Sequence, residues 1–288
     1  MAEREDQDKS PLVYRVSESG GVDMLRALLL LALVAMVVSK LSRFSVSQSI
    51  NLPALKKLGA LLRRPSLIIP QIKVKKLRDL DIVSLKAKGV KYLMFDKDNT
   101  LTLAFRDELH EDVKSSIEEA HEHFPGNIAI LSNSVGSCDD VGYKAAIETE
   151  NSIGIPVIRH KIKKPACMNE VKEHFEKRSK AASEFKVVDL SDPLTTTAIP
   201  SKQSEEEGDE EVGVTVHPSE ICMVGDRVLT DCVFANLNGM VSVLVAPLCL
   251  KTDHPVSVFI RFLEVRLLLP FLRLLGVRAI KILSTAAR

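Results

Sequence analysis

The sequence predicts an α/β fold built on a doubly wound parallel sheet, and three observations carry that prediction. From residue 90 onward, short β-type runs alternate with helical stretches, the pattern of βαβ units. The residues with chemical potential follow the ends of those runs, where open α/β sheets bind ligands. The intervals between the first three such groups, about 30 residues each, hold one helix and one strand apiece.

Val90–Phe95 is the first β-type run, followed by a helical stretch over 110–123. Asn127–Leu131 reads as a buried strand, Val135–Glu148 as a helix and Ile155–Ile158 as a strand after a Gly/Pro turn. Ala166–Lys180 is helical, Glu220–Val224 a strand, Thr230–Leu237 a helix and Met240–Val245 a last strand. Residues 181–219 interrupt the alternation. Their Ser/Thr/Pro-rich sequence and the run Glu205 to Glu211 predict a disordered acidic insertion acting as a passive solvated loop.

The flanks differ from this middle. The 288 residues carry a formal net charge of +1, which hides +11 over residues 40–91, +5 over 251–288 and −15 over the rest. Composition excludes a collagen-like, wholly disordered or polytopic membrane chain. The five cysteines form no C-x-x-C pair, which argues against a zinc site or a disulfide framework and suits a reducing compartment. Residues 1–23 read as a polar leader. Ala27–Ser39 is uncharged over 13 residues. As a helix it rises only ~20 Å against a ~30 Å hydrocarbon core, so a signal-type region, a shallow anchor and a buried helix all remain open. Residues 50–80 mix Leu and Ile with Lys, Arg and three prolines, which suits an anionic membrane surface or an ordinary solvated helix face. Residues 256–283 are strongly apolar with spaced arginines, and Pro270 is expected to split them into two short helices, interfacial or internally packed. The basic segments lack interleaved aromatics, so no nucleic-acid partner is expected.

The sharpest motif is Asp96-Lys97-Asp98-Asn99-Thr100-Leu101-Thr102, directly after the first strand. One carboxylate of such a pair can bind a hard cation and attack an electrophile while the other moves protons; alone, the motif also suits a calcium loop or a turn. Ser132-Asn133-Ser134 follows the second strand and offers a hydroxyl to a phosphoryl oxygen, or a helix cap. Lys163-Lys164-Pro165 offers a cation, or a solvated pair. Gly225-Asp226 to Asp231 offers two carboxylates at a strand-to-helix turn, where Asp231 either joins a Mg²⁺ shell or faces the helix dipole. Four such groups after separate strands favour a common phosphoryl-transfer site.

That order resembles the haloacid dehalogenase superfamily over about residues 88–246. FDKDNTLT, LSNS, IRHKIKKP and VGDRVLTD, after NLPALKKL and RRPSLIIP, more closely resemble the mitochondrial phosphatidylglycerophosphate phosphatase family over about residues 50–250. The resemblance implies a Rossmann-like sheet with Asp96 as nucleophile, Asp98 as general acid and base, and Ser132 and Lys164 stabilising the phosphoryl oxygens. It implies Mg²⁺ held by the Asp96 carboxylate, the Asp98 carbonyl and Asp226, with Asp231 in or near the shell. Lys164 is preferred to Lys163 because it directly precedes the proline. Thr100, Asn133 and Arg227 are the substrate-binding candidates.

The short intervals leave no room for a large cap domain, and an uncapped site suits a phosphomonoester presented by a lipid or a macromolecule. The expected organisation is a leader over 1–49, a basic membrane-proximal segment over 50–87, a phosphatase domain over 88–250 with the insertion at about 181–219, and a basic apolar amphipathic segment over 251–288. The expected substrate is an anionic phospholipid met by peripheral membrane association. The resemblance suggests the matrix side of the mitochondrial inner membrane, with a plastid as alternative; the acid-rich leader is unlike a transit peptide. An uncapped phosphatase of phosphoproteins or soluble metabolites is the competing enzyme reading, and a membrane scaffold the non-enzyme one. The sequence leaves the oligomeric state open.

Overall fold

The computed structural model describes residues 61, 63–164, 166–188 and 215–281, with 182–188 described by backbone alone. The expectations for the leader, its apolar stretch and the acidic run Glu205 to Glu211 lie outside these residues.

Five strands form one sheet: β1 (Ile72–Val74), β2 (Tyr92–Phe95), β3 (Ile128–Ile130), β4 (Ile221–Gly225) and β5 (Val241–Val245). Their order is β1-β5-β4-β2-β3, and every pairing is parallel. Among the described residues, seven α-helices surround them: α1 (Ile82–Ala87), α2 (Glu111–His123), α3 (Lys144–Ile153), α4 (Met168–Val188), α5 (Val233–Leu237), α6 (Pro255–Phe262) and α7 (Leu269–Leu274). β2 and β4 lie inside the sheet and are buried along their whole length, which explains their unbroken apolar runs.

Alternation along the strands sorts side chains to two faces. Leu93, Phe95, Cys222 and Val224 pack with Ile82 and Leu85 of α1 and with Val113, Ile117 and Ala120 of α2. Tyr92, Met94, Ile221 and Met223 pack with Val171 and Phe175 of α4 and with Phe234 and Ala235 of α5. The sheet is therefore covered on both sides, as the doubly wound prediction requires. A third core joins Leu67, Ile68 and Ile69 to Leu244 and to Leu268, Leu269 and Leu272.

Several local expectations change. The described part of the 50–87 segment belongs to the sheet domain: β1 pairs with β5, and Asp81 caps α1 by accepting from the Ser84 N–H at 2.8 Å. The expected strand at 155–158 is reduced to one parallel bridge, Ile130 to Val157. Pro156 has no N–H to donate, although its carbonyl accepts from Ile130 at 2.8 Å. The helix expected from Val135 begins only at Lys144, because Gly136, Gly142 and Tyr143 all take positive φ. Gly136 cannot be replaced without strain: its φ is +71°, and a Cβ would meet the Ile158 carbonyl oxygen at 2.8 Å. The insertion is shorter than expected, since α4 runs to Val188 and Val216 is buried.

The C-terminal segment is continuous from Pro255 to Leu274 rather than split at Pro270. A π-helical turn, Leu263–Leu268, precedes Pro270, which sits in the first turn of α7 where its missing N–H matters least. One face of this run buries Arg261, Glu264, Leu268, Leu269 and Leu272, and the other exposes Phe259, Phe262, Leu267 and Leu274. Among the described residues, no helix is long and apolar enough to cross a membrane.

Candidate active site

The carboxyl ends of β2, β3 and β4 converge on one cleft of about 840 Å³, lined among others by Asp96, Asp98, Ser132, Asn133, Arg227 and Arg261. The loop after β2 folds tightly because Asn99 adopts φ +61°, a left-handed conformation that asparagine tolerates well. The Lys97 carbonyl then accepts from the Leu101 and Thr102 N–H groups at 2.9 and 3.1 Å. This turn leaves Asp96 buried and Asp98 a third exposed in the cleft. The Asp98 carboxylate accepts from the Ser134 hydroxyl at 3.2 Å and the Phe105 N–H at 3.3 Å.

Lys164 is fully buried and binds three groups. Its ammonium donates to Asp96 Oδ1 at 2.8 Å, Asp231 Oδ1 at 2.6 Å and the Leu131 carbonyl at 3.0 Å. Burial opposes its charge, but the Asp231 and Asp96 carboxylates outweigh it and hold the pKa above the ordinary lysine value. Burial pushes Asp231 upward in turn, against the attraction of Lys164. Asp231 Oδ2 also accepts from the Arg227 N–H at 3.2 Å. Such an approach needs glycine at 225, where a Cβ would lie 2.3 Å from Asp231 Oδ2. The Asn133 side-chain oxygen accepts from the Lys164 N–H at 3.0 Å, so the LSNS loop positions the lysine. His160 reinforces this link: it is buried, its Nε2 faces the Ser132 carbonyl at 2.7 Å and its Nδ1 faces the Ile162 carbonyl at 2.9 Å. Burial holds its pKa below the ordinary value, and the neutral ring donates to one of the two carbonyls.

Asp96, Asp226 and Asp231 each offer a carboxylate oxygen, all within 4.8 Å of one another, and all three are buried. Asp226 Oδ2 faces the Arg261 guanidinium at 2.5 Å, Oδ1 has no partner among the described residues, and burial pushes this carboxyl up to about 8 despite Arg261. A buried carboxylate oxygen left without a donor is what a hard divalent cation satisfies, so the residues fit Mg²⁺. Asp96 and Asp226 are the ligands of choice, because both Asp231 oxygens are committed to Lys164 and Arg227. The Asp98 carboxylate stands outside the cluster; its expected contribution was a backbone carbonyl.

Eight of the nine expected site residues gather in or directly beneath the cleft. Thr100 does not line it: the residue is buried within the turn, and its hydroxyl has no partner among the described residues. Arg227 is half-buried at the cleft wall, where burial opposes its charge but Asp96, Asp231 and Asp226 raise its pKa.

Three contributors escaped the sequence reading. Lys97 is buried and donates to the Arg106 carbonyl at 2.6 Å while pairing with Asp107 at 3.0 Å, which closes the loop beside Asp98. Arg261 of α6 pairs with Asp226 at 2.5 Å and with Asp253. Glu264 accepts from the Val228 N–H at 2.9 Å, bracing the π-helical turn Val228–Cys232 that carries Asp231. The available signal was the spacing of Arg261, Glu264, Leu268 and Leu272, which puts both charges on the apolar stripe of one helix.

Comparison with known proteins agrees with this geometry. The family model for mitochondrial PGP phosphatase matches residues 52–204, and one for HAD-hydrolase-like proteins matches 200–247. Phosphatidylglycerophosphate phosphatase 1, chloroplastic/mitochondrial, of Arabidopsis thaliana is 32% identical over 234 residues, 80% of this chain and 56% of the relative. The chloroplastic enzyme of Chlamydomonas reinhardtii is 34% identical over 187 residues, 64% of this chain and 54% of the relative. Phosphatidylglycerophosphatase GEP4, mitochondrial, of Saccharomyces cerevisiae is 28% identical over 200 residues, 69% of this chain and 89% of the relative. The chain thus spans about half the length of the plant and algal relatives. No solved structure matches. With more than half of its length matched by one family model, on a HAD-like α/β sheet, the chain belongs to the mitochondrial PGP phosphatase family.

Proposed function

We propose that this chain is a Mg²⁺-dependent phosphatase that hydrolyses phosphatidylglycerophosphate to phosphatidylglycerol at a membrane surface. The observation that carries the reading is Asp96, buried at the carboxyl end of a central strand with Lys164 on one oxygen and Asp226 beside it. The names of the relatives supply the substrate.

Lys164 fixes Asp96 Oδ1, which orients the carboxylate for attack on phosphorus by its other oxygen. An Asp96–phosphate acyl bond forms as the bond to the lipid alkoxide breaks. Asp98, partly open to the cleft and oriented by Ser134, gives that alkoxide a proton. Asp98 then removes a proton from water, which attacks the acyl phosphate, releases phosphate and regenerates Asp96. Ser132 and Lys164 offer donors to the phosphoryl oxygens. Bound Mg²⁺, held by Asp96 and Asp226, supplies positive charge that lowers repulsion between the phosphate and the nucleophile.

With no cap domain among the described residues, the cleft admits a headgroup carried by a bilayer. Support for peripheral membrane association comes from the exposed apolar face of the run from α6 through the π-helical turn to α7, Phe259, Phe262, Leu267 and Leu274, which lies alongside Arg266 and Arg273. Arg273 and Arg266 lie close enough to Lys73, with its partial burial, to hold the Lys73 pKa below the ordinary value. The reading places the protein in mitochondria, on the matrix face of the inner membrane, with a plastid as the other site consistent with the relatives' names.

The deciding assay follows phosphate release from phosphatidylglycerophosphate in vesicles and from simple soluble phosphomonoesters, with and without Mg²⁺, for the wild type and Asp96→Asn. The reading expects Mg²⁺-dependent release, faster on the lipid, and none from the variant. Equal rates on simple soluble esters would sink the lipid reading in favour of a soluble-substrate phosphatase.

A further inference from the structure

We propose that Arg261 is the residue that reads the second phosphate of the substrate, the phosphodiester one glycerol away from the monoester under attack. This rests on the phosphatase reading above and adds the specificity element to the same cleft.

Arg261 comes from α6, outside the alternating strands and helices that supply the four motifs. It is only 6% exposed, yet it lines the cleft together with Asp96, Ser132 and Arg227. Its guanidinium pairs with Asp226 at 2.5 Å and with Asp253, while its Nε has no partner among the described residues. An arginine buried with an unmet N–H costs stability unless a ligand completes it. One of its two carboxylates is also a candidate metal ligand. Once Asp226 turns its oxygens to a cation, Arg261 keeps Asp253 alone and gains donors for an anion in the cleft.

Of the other basic side chains, Lys97, Lys163 and Lys164 are engaged elsewhere, whereas Lys144 and Arg227 also line the cleft. Lys97 holds the Arg106 carbonyl, Asp107 and Asp98, and Lys163 pairs with Asp139. Lys164 lies beneath the floor with Asp96 and Asp231, where the reacting phosphate belongs. The planar guanidinium fork matches the two non-bridging oxygens of a phosphodiester, which a plain phosphomonoester does not offer as a second group.

The test compares kcat/KM for glycerol 3-phosphate and for the same molecule carrying a methyl phosphodiester on its other end. The wild type is expected to favour the diester-bearing molecule by about 10- to 100-fold, the range for a charge-assisted hydrogen-bonded pair. Arg261→Gln should bring that ratio close to one, and Arg261→Lys should restore part of it. A binding readout without turnover uses the methyl phosphodiester of glycerol alone, titrated calorimetrically in Mg²⁺; Arg261→Gln should weaken it at least about tenfold. Leu272→Ala, which loosens the same helix from the core, should lower the melting temperature and keep the ratio.

A wild-type ratio near one, an equal loss on both substrates in Arg261→Gln, or a collapsed ratio in Leu272→Ala would each overturn the proposal. If the wild type hydrolyses no phosphomonoester, the phosphatase reading fails. The calorimetric arm then decides Arg261 by itself: arginine-dependent diester binding upholds its role, and arginine-independent binding overturns it.

Discussion

Replacing Lys164 by methionine removes the cation that touches both Asp96 and Asp231 while keeping most of the buried volume. Deleting one partner of a buried ion pair costs about 3–5 kcal/mol, because the remaining charge is stranded away from water. Proton uptake limits that cost. Carrying Asp231 neutral at pH 7 from an ordinary value of 3.8 costs about 1.4 kcal/mol per unit, a ceiling of about 4 kcal/mol for this group. An acid whose folded pKa is raised weakens the fold above its unfolded pKa, so the penalty shrinks as pH falls. Relative to neutral pH, the variant should recover about 2 kcal/mol of its deficit at about pH 5.5. Urea unfolding followed by far-ultraviolet circular dichroism at both pH values measures this. Added Mg²⁺ should narrow the gap by standing in for the lost charge. A deficit below about 1 kcal/mol at pH 7, or one that does not change with pH, would refute the argument that Lys164 neutralises the buried carboxylates.

Glu264→Gln should be stabilising at pH 8. Burial pushes the Glu264 carboxyl up to about 7, against its hydrogen bond from Val228, so the folded protein holds this proton over a range in which the unfolded chain has lost it. Wild-type stability should therefore fall between about pH 4.5 and 7 by about 3 kcal/mol more than that of the variant; parallel curves would contradict the assignment. Gly225→Ala should cost about 3 kcal/mol and abolish phosphate release, because its Cβ displaces Asp231 from Lys164. A variant with wild-type melting and activity would show that Asp231 can move without consequence.

The readable parts of the fold were those where local pattern and tertiary demand coincide. β2 and β4 announce themselves because a central parallel strand is buried on both faces, and the motifs follow because a parallel sheet collects its strand ends on one edge. β1 gives little signal: three residues, with exposed Lys73 between Ile72 and Val74, form an edge strand whose charge also guards against stray pairing. Its partner β5 lies far along the chain, a pairing that no local pattern specifies. Motif position does not say which way Thr100 faces: next to Asn99, whose φ is positive, it is buried in the turn and does not line the cleft. Spacing along a helix does not reveal that a carboxylate waits beneath Arg261 and a pair of N–H groups beneath Glu264.

Docking of the C-terminal helix has a consequence for the order in which the protein becomes competent. A chain that emerges amino end first can close its sheet once Val245 is available. At that moment every motif aspartate is in place, but Asp226 has no arginine and the Val228 N–H has no carboxylate. Completion of the chemistry at the strand ends then awaits α6 and the turn after it. A nascent chain that carries all four motifs but not yet this segment is unready, and its arrival is the late step that arms the site.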